Sequence, residues 1–148
     1  MTVEPLFHSL GEPGFMHYEP LPADQRPLLA KFYRDHRSGM RIKGPMQAWV
    51  ARELEIVGAL SLAPVAGGHW LRGLFVAPTH RGRNIASTLV TEALENIEGG
   101  VWLFCDPKLS GFYQRLGFAN TDALPPGLAE RLSRYRQTKA LIALVRRR

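Results

Sequence analysis

Apolar residues recur along the chain in short runs that predict the strands of one sheet. Residues 47–52 and 56–63 are two such runs joined by a short polar step, which predicts an antiparallel hairpin. Residues 69–76 are apolar at both even and odd positions, as expected of a central strand. Residues 101–105 form a continuous apolar run and predict another buried strand.

Apolar spacings of three and four residues predict the helices. The four groups with this spacing are Leu28, Leu29, Phe32 and Tyr33; Ile85, Leu89, Val90, Ala93, Leu94 and Ile97; Leu109, Phe112, Tyr113 and Leu116; and Leu128, Leu132 and Tyr135. We expect the first helix to end near residues 38–39 and the second to stop at Gly99 and Gly100. Gly117 should cap the third helix.

The order of these elements predicts a mixed sheet. The helix that begins at Ile85 lies between two buried strands, and a helical crossover makes the strands on either side parallel. Further strands are expected at residues 15–19 and 140–145. The predicted fold class is therefore α/β (α+β), with about six to seven strands, an antiparallel N-terminal half, one parallel pair and flanking helices.

Composition restricts the class of protein. The 148 residues are 45% hydrophobic and 22% charged, which predicts a single globular domain over residues 1–148 and excludes extended disorder. Cys105 is the only cysteine, so an intrachain disulfide and a cysteine-based zinc cluster are excluded. A lone cysteine suits a reducing compartment. We therefore expect a cytoplasmic protein without a metal.

Charge and targeting patterns add two expectations. The first 20 residues lack the basic start and apolar run of a secretory signal, and no stretch approaches 18 apolar residues, so no membrane partner is expected. The net charge of +6 predicts attraction to anions, without distinguishing nucleic acid from a phosphorylated cofactor. Arginines at positions 146–148 are expected to form a solvated tail.

A basic loop between a strand and a helix is the strongest candidate for chemistry. Unpaired N–H groups at the first turn of a helix, together with the helix dipole, favour an anion such as a pyrophosphate. Gly82 permits a close approach, and Arg81 and Arg83 add positive charge. Ala86 and Ser87 leave room at the helix start. The alternative is an ordinary strand-to-helix turn with solvated arginines.

Two motifs in this region resemble the GNAT superfamily of acetyl-CoA-dependent N-acyltransferases. The segment Arg81-Gly82-Arg83-Asn84-Ile85-Ala86 is similar to the family signature Arg/Gln-x-x-Gly-x-Gly/Ala, and residues 76–78 also match. Residues 111–118 resemble the closing Phe-Tyr-x-x-x-Gly-Phe element. Asn84 departs from the usual glycine, which should alter packing at the phosphate while cofactor binding is retained.

The resemblance implies a cofactor site and an acid. Acetyl-CoA would supply the acetyl group, with its pantetheine arm between the strands that end at Val76 and Cys105. The implied cofactor-binding residues are Phe75, Val76, Arg81, Gly82, Arg83, Asn84, Ile85, Ala86 and Ser87. Tyr113 matches the family's proton donor to the departing thiolate, and its alternative role is that of a core aromatic. The expected reaction is direct transfer to a primary amine in a ternary complex.

The proton acceptor is not assigned by the sequence. Glu53, Glu55, His69 and Asp106 are all compatible with the role, as is a chain of water molecules. Cys105 closes an apolar strand and is expected to be a core residue rather than a nucleophile.

Several further points stay open at this level. The acceptor is an amine of a small molecule or of a polypeptide, and a longer acyl chain than acetyl is an alternative. A non-catalytic CoA-binding or nucleic-acid-binding regulatory domain is the rival interpretation. Nucleic acid is not expected as a partner, because the basic residues are not interleaved with aromatic residues in the sequence. A homodimer is also an expectation, and the C-terminal strand is one possible edge for its pairing.

Overall fold

The computed structural model describes residues 15–147, which contain seven strands and four α-helices. The strands are β1 (His17–Leu21), β2 (Gln47–Arg52), β3 (Ile56–Val65), β4 (Gly68–Val76), β5 (Gly100–Cys105), β6 (Ala119–Asn120) and β7 (Ile142–Arg146). The α-helices are α1 (Arg26–Asp35), α2 (Ile85–Leu94), α3 (Ser110–Gln114) and α4 (Pro126–Tyr135). No helix in this range has the length and apolar character needed to span a membrane.

The strands form a mixed sheet in the order β1-β2-β3-β4-β5-β7-β6. β1 pairs antiparallel with β2, and β7 pairs antiparallel with both β5 and β6. β4 pairs parallel with β5, from Gly68 opposite Gly100 to Trp70 opposite Trp102. The antiparallel first strands and the single crossover through α2 confirm the fold class predicted from the sequence.

Contacts between α-carbons divide the chain into two compact units, each with its own core. The first unit runs to Ser61 and resumes over Gly73–Glu95. Its buried core comprises Leu21, Leu29, Phe32, Tyr33, Ala48, Val50, Ala51, Val57, Ala59, Val76, Ala77 and Ile85. Because this core includes the end of β4 and the first residue of α2, it fixes both ends of the loop between them.

The second unit contains Leu62–Arg72 and the residues from Asn96 onward. Trp70, Trp102 and Leu128 form the centre of one buried cluster, against which partly buried residues of β5, α4 and β7 pack. The indole Nε1–H of Trp102 donates to the carbonyl oxygen of Ala123 at 3.1 Å, so the buried N–H group is satisfied. α4 therefore covers the face of the sheet that carries the two tryptophans.

Several predicted elements are confirmed. β2 has the predicted bounds, and β3 begins at Ile56 as expected before continuing to Val65. α4 contains the predicted apolar residues, of which Leu128 and Leu132 are buried. Gly117 follows α3 with φ +96°, and its N–H donates to Gln114 O at 3.0 Å, as expected of a glycine that ends a helix.

The predicted ends of other elements were wrong. β1 lies two residues later than expected, and α1 ends at Asp35 rather than near residue 38. α2 ends at Leu94, so Ile97 lies outside it. The Glu95 N–H donates to the carbonyl of Glu92, three residues back, which is the tight geometry of a last helical turn. Periodicity alone does not reveal this change of hydrogen bonding.

Other departures concern the sheet edge and two leucines. β6 has only two residues, too few to show a pattern, yet it lies beyond β7 in the sheet. The C-terminal strand β7, which also begins later than the predicted residue 140, therefore pairs with β6 at Leu144 and Val145, along the edge that was suggested for a homodimer. Leu28 and Leu109, predicted to lie on apolar helix faces, are exposed.

Gly73 interrupts β4 with a left-handed backbone. Its φ is +72°, and its carbonyl oxygen accepts a hydrogen bond of 2.6 Å from the hydroxyl of Tyr33 on α1. A Cβ atom at this position would lie 2.9 Å from the Tyr33 hydroxyl and 3.0 Å from the Met40 sulfur. Both the backbone angle and the space therefore require glycine.

We expect Gly73→Ala to lower the free energy of unfolding by about 2–5 kcal/mol. A left-handed backbone costs a non-glycine residue about 1–2 kcal/mol, and overpacking adds about 1–3 kcal/mol. Gly39→Ala is the matched control, because Gly39 also has a positive φ of +79° but nothing lies within 4 Å of its added Cβ. Urea denaturation measures both variants, and equal losses would contradict the crowding at Gly73.

Candidate active site

The loop between β4 and α2 is anchored at its start. After Val76, the N–H of Ala77 donates to Val57 O on β3 at 2.8 Å. A 3₁₀ turn at Pro78–His80 follows, and α2 begins five residues later at Ile85. Ala77 and Ile85 are both buried, so the loop is fixed at both ends by the core of the first unit.

The first turn of α2 lacks a side-chain cap. Asn84, at the N-cap, has left-handed angles of φ 61° and ψ 20° and makes no capping hydrogen bond. Its carbonyl oxygen instead accepts from the Thr88 N–H at 3.1 Å and from the Ser87 hydroxyl at 3.2 Å. Helix geometry leaves the first N–H groups without partners inside the helix. They are therefore available to an external acceptor, and the dipole favours an anion.

Gly82 is the other residue of this loop with a left-handed backbone. Its φ is +81°, and nothing lies within 4 Å of the position where a Cβ would be. The backbone conformation, rather than crowding, therefore favours glycine here. The open space allows a ligand to approach the main chain next to the helix start, so the loop fits a phosphate group.

The two arginines of the loop occupy different environments. Arg81 donates through Nε to Val76 O at 3.0 Å, and its guanidinium lies 5.2 Å from the centre of the Phe75 ring. Arg83 lies 3.8 Å from the Glu53 carboxylate and is half exposed. Arg81 is thus tied to the end of β4, whereas Arg83 is the less restrained cation.

The remaining candidate cofactor residues contribute packing. Phe75 contacts the ring of Phe32 at 6.0 Å between centroids, and Val76 is 8% exposed. Ile85 is buried, and Ala86 packs against the same core. The structure therefore brings the nine predicted cofactor residues together around one loop of the first unit. Tyr113, the predicted acid, lies in the second unit.

Tyr113 is a buried phenol that stays protonated. It is 7% exposed, and the rings of Phe112 and Phe118 meet it edge-on at 4.9 and 5.8 Å. Burial raises the pKa of Tyr113, and the Cys105 thiol raises it further when ionised. Within residues 15–147 no group forms a hydrogen bond with its hydroxyl. The hydroxyl can therefore donate a proton to a ligand.

Cys105 has the environment of a core residue. Its side chain is buried at the end of β5, and burial, followed by the charge of Asp106, raises the pKa of its thiol. Because the thiolate is the nucleophilic form, a raised pKa opposes a covalent acyl-cysteine step.

The structure separates the candidate proton acceptors. Glu53 and Glu55 line a cavity of about 480 Å³ in the first unit. Asp106 accepts from the Lys108 N–H at 2.9 Å and so caps a 3₁₀ turn. The Nδ1 atom of His69 is buried without a hydrogen-bond partner among the described residues. None of these environments by itself identifies the base.

His80 is a residue of this region that the sequence did not single out. Its Nε2 lies 3.0 Å from Glu53 Oε1, and its Nδ1 lies 2.9 Å from the Thr79 hydroxyl. Glu53 therefore contacts both His80 and Arg83 and joins the β2–β3 turn to the basic loop. The position of His80 directly before the signature was visible, but its partner is 27 residues away.

Asn84→Ala should destabilise the protein, whereas Asn84→Gly should not. A left-handed backbone costs alanine about 1–2 kcal/mol, and glycine adopts it without this cost. Since the Asn84 side chain makes no capping bond, its removal loses no hydrogen bond to the helix. Thermal unfolding monitored by circular dichroism measures the difference. Equal melting temperatures for the two variants would contradict the left-handed conformation.

Comparisons with known proteins agree with this geometry. A family profile described as an acetyltransferase (GNAT) domain matches residues 45–120. No curated protein matches the sequence as a relative. Among solved structures, Escherichia coli ElaA has 15% sequence identity and a TM-score of 0.66, with 88% of this chain and 99% of ElaA covered.

Two similar structures contain ligands. Arabidopsis thaliana NAA60, solved with a bisubstrate analogue, has 18% identity and a TM-score of 0.58, with 88% of this chain and 95% of NAA60 covered. PaiA N-acetyltransferase from Thermoplasma acidophilum, solved with coenzyme A, has 13% identity and a TM-score of 0.59, with 90% of this chain and 99% of PaiA covered. At these identities the likeness is one of fold. The family match, however, spans more than half of the chain and includes both the basic loop and Tyr113, so this chain belongs to the GNAT acetyltransferase domain family.

Proposed function

We propose that the chain is an N-acetyltransferase that transfers the acetyl group of acetyl-CoA to a primary amine. The observation that carries this proposal is the uncapped start of α2, which follows a loop with left-handed residues at Gly82 and Asn84. For a member of the GNAT family, the anion that this loop would bind is the pyrophosphate of acetyl-CoA. The coenzyme A bound to the PaiA structure is consistent with a shared cofactor.

The loop is suited to the pyrophosphate of the cofactor. N–H groups of the first turn of α2 would donate to the phosphate oxygens, and the helix dipole would favour their negative charge. Arg83 is half exposed and can turn toward a phosphate. Arg81 keeps its terminal guanidinium N–H groups for the ligand while Nε holds the end of β4. Acetyl-CoA would supply an activated acetyl group as a thioester.

Tyr113 is the proposed acid in a direct transfer. The nitrogen of a neutral amine forms a bond to the acetyl carbon as the carbon–sulfur bond breaks, and the amine loses a proton to a base. The Tyr113 phenol donates its proton to the departing sulfur. The high pKa that burial gives Tyr113 keeps this proton in place at neutral pH. The raised pKa of Cys105 supports a route without an acyl-cysteine.

The acceptor is proposed only as a primary amine, of a small molecule or of a polypeptide. The cavity beside the β2–β3 turn is one concave surface of the first unit, and it carries the carboxylates of Glu53 and Glu55. Carboxylates can attract an ammonium group or accept its proton. This feature is compatible with both acceptor classes.

Release of free thiol from acetyl-CoA in the presence of a panel of amines tests the function. The proposal expects turnover with at least one amine, and acyl-CoAs of increasing chain length measure the acyl preference. A folded protein that binds CoA but releases no thiol with any acyl donor would favour the non-catalytic alternative. A protein that binds no CoA at all would contradict the proposal.

Tyr113→Phe should lower kcat by about 100-fold, because general acid catalysis contributes about 10²–10⁴-fold. Burial disfavours the phenolate of Tyr113. At pH values up to about 10, loss of the Tyr113 proton should therefore not lower the wild-type rate. Tyr135→Phe is the matched control, since it removes a phenol oxygen from a different, partly buried ring of the second unit. Full turnover by Tyr113→Phe between pH 6 and 9 would contradict the proposal that Tyr113 acts as the general acid.

A further inference from the structure

The excess of positive over negative charge lies in one of the two units of the protein. The second unit, Leu62–Arg72 with the residues from Asn96 onward, contains ten Lys and Arg residues and four Asp and Glu residues. The first unit contains nine of each kind. The net charge of +6 therefore belongs to the second unit, although the basic loop of the proposed cofactor site lies in the first.

Among the described residues of the second unit, no salt bridge neutralises the positive charges. The salt bridges within residues 15–147 are Lys31–Asp35, Arg52–Glu19, His80–Glu53 and Arg83–Glu53, and all lie in the first unit. Among the described residues of the second unit, no Lys or Arg side chain pairs with a carboxylate. Unpaired positive charges that lie near one another repel each other, so a bound polyanion would stabilise them.

The guanidinium groups of three of these arginines stack on the rings of two neighbouring tryptophans. Trp70 and Trp102 are opposite each other in the β4–β5 pair. The guanidinium carbons of Arg72 and Arg131 lie 4.7 and 5.1 Å from the centre of the Trp70 ring, and that of Arg147 lies 5.5 Å from Trp102. Contact with the rings restrains the guanidinium groups and leaves N–H donors at their edges.

We propose that this arginine–tryptophan face, defined by Arg72, Arg131 and Arg147, binds the phosphate backbone of a nucleic acid strand. A guanidinium presents a fork of donors that matches a phosphate, and a strand carries a phosphate at every nucleotide. One strand can therefore contact several of these arginines at once. Arg134 on α4 is also exposed and adds charge beside Arg131.

The burial of the tryptophans defines the mode of binding. Trp70 is 6% exposed and Trp102 is 4% exposed, so neither ring offers a free surface on which a base could stack. The contacts are therefore made by charge to the backbone and do not select a base sequence. Such binding weakens steeply as the salt concentration rises.

Fluorescence anisotropy of a labelled, unstructured 20-nucleotide RNA, titrated with the full chain at several salt concentrations, tests the proposal. Replacing Arg72, Arg131 and Arg147 together by glutamine should weaken binding about tenfold or more. It should also reduce the slope of the logarithm of the binding constant against the logarithm of the salt concentration by about 2, because each of the three lost phosphate contacts contributes about 0.7. The double variant Arg131→Gln, Arg147→Gln changes only exposed side chains and serves if the triple variant does not fold.

The matched control replaces Arg34, Arg41 and Lys43 by glutamine. These exposed residues lie in the first unit, so the control loses the same charge elsewhere and should bind RNA within about twofold of the wild type. An equal loss in the control would overturn the proposal, as would no binding by the wild type. Tighter binding of a polyglutamate peptide than of RNA would also overturn it and assign the face to an acidic polypeptide.

RNA binding measured in the presence of saturating CoA distinguishes the arginine–tryptophan face from the proposed cofactor site. RNA affinity should be unchanged by CoA, whereas displacement of RNA by CoA would place the strand at the basic loop and contradict the proposal. A protein without acetyltransferase activity that still binds RNA in this way would leave the inference intact.

Discussion

Two left-handed residues shape the turn between β4 and α2. Gly82 and Asn84 have φ angles of +81° and +61°, a conformation that disfavours most side chains. Because Asn84 adopts it without forming a side-chain cap, α2 begins with N–H groups that the protein does not satisfy through a cap. The proposed grip on a pyrophosphate depends on this arrangement, since a capped helix would have fewer donors to offer.

The turn is useful for binding only because it is held in place. Ala77 bonds to β3, Arg81 bonds to the end of β4, and His80 contacts Glu53 on the β2–β3 turn. Donors that are fixed before binding lose little conformational entropy when a ligand arrives. In the second unit, Tyr113 is held in a comparable way between two aromatic rings, and burial keeps its phenol protonated. In the turn and at Tyr113 alike, packing against neighbouring residues positions the polar groups.

Local patterns made much of the fold predictable, and long-range contacts account for the rest. The bounds of β2 and the apolar positions of α4 follow from periodicity alone. The two-residue strand β6 has no period, and the contact of His80 with Glu53 joins residues 27 positions apart. The stacking of Arg131 on Trp70 likewise joins distant segments, which is why the sequence showed no mixed basic and aromatic surface. The cofactor loop was predictable because its chemistry lies in consecutive residues.

The most direct measurement is a titration of ¹⁵N-labelled protein with CoA, followed through the backbone amide resonances. If the pyrophosphate rests on the start of α2, the largest shifts should come from residues 82–87, and pantetheine, which lacks the pyrophosphate, should leave these amides unchanged. CoA that shifted amides elsewhere while residues 82–87 stayed in place, or that shifted none, would contradict the proposed role of this turn.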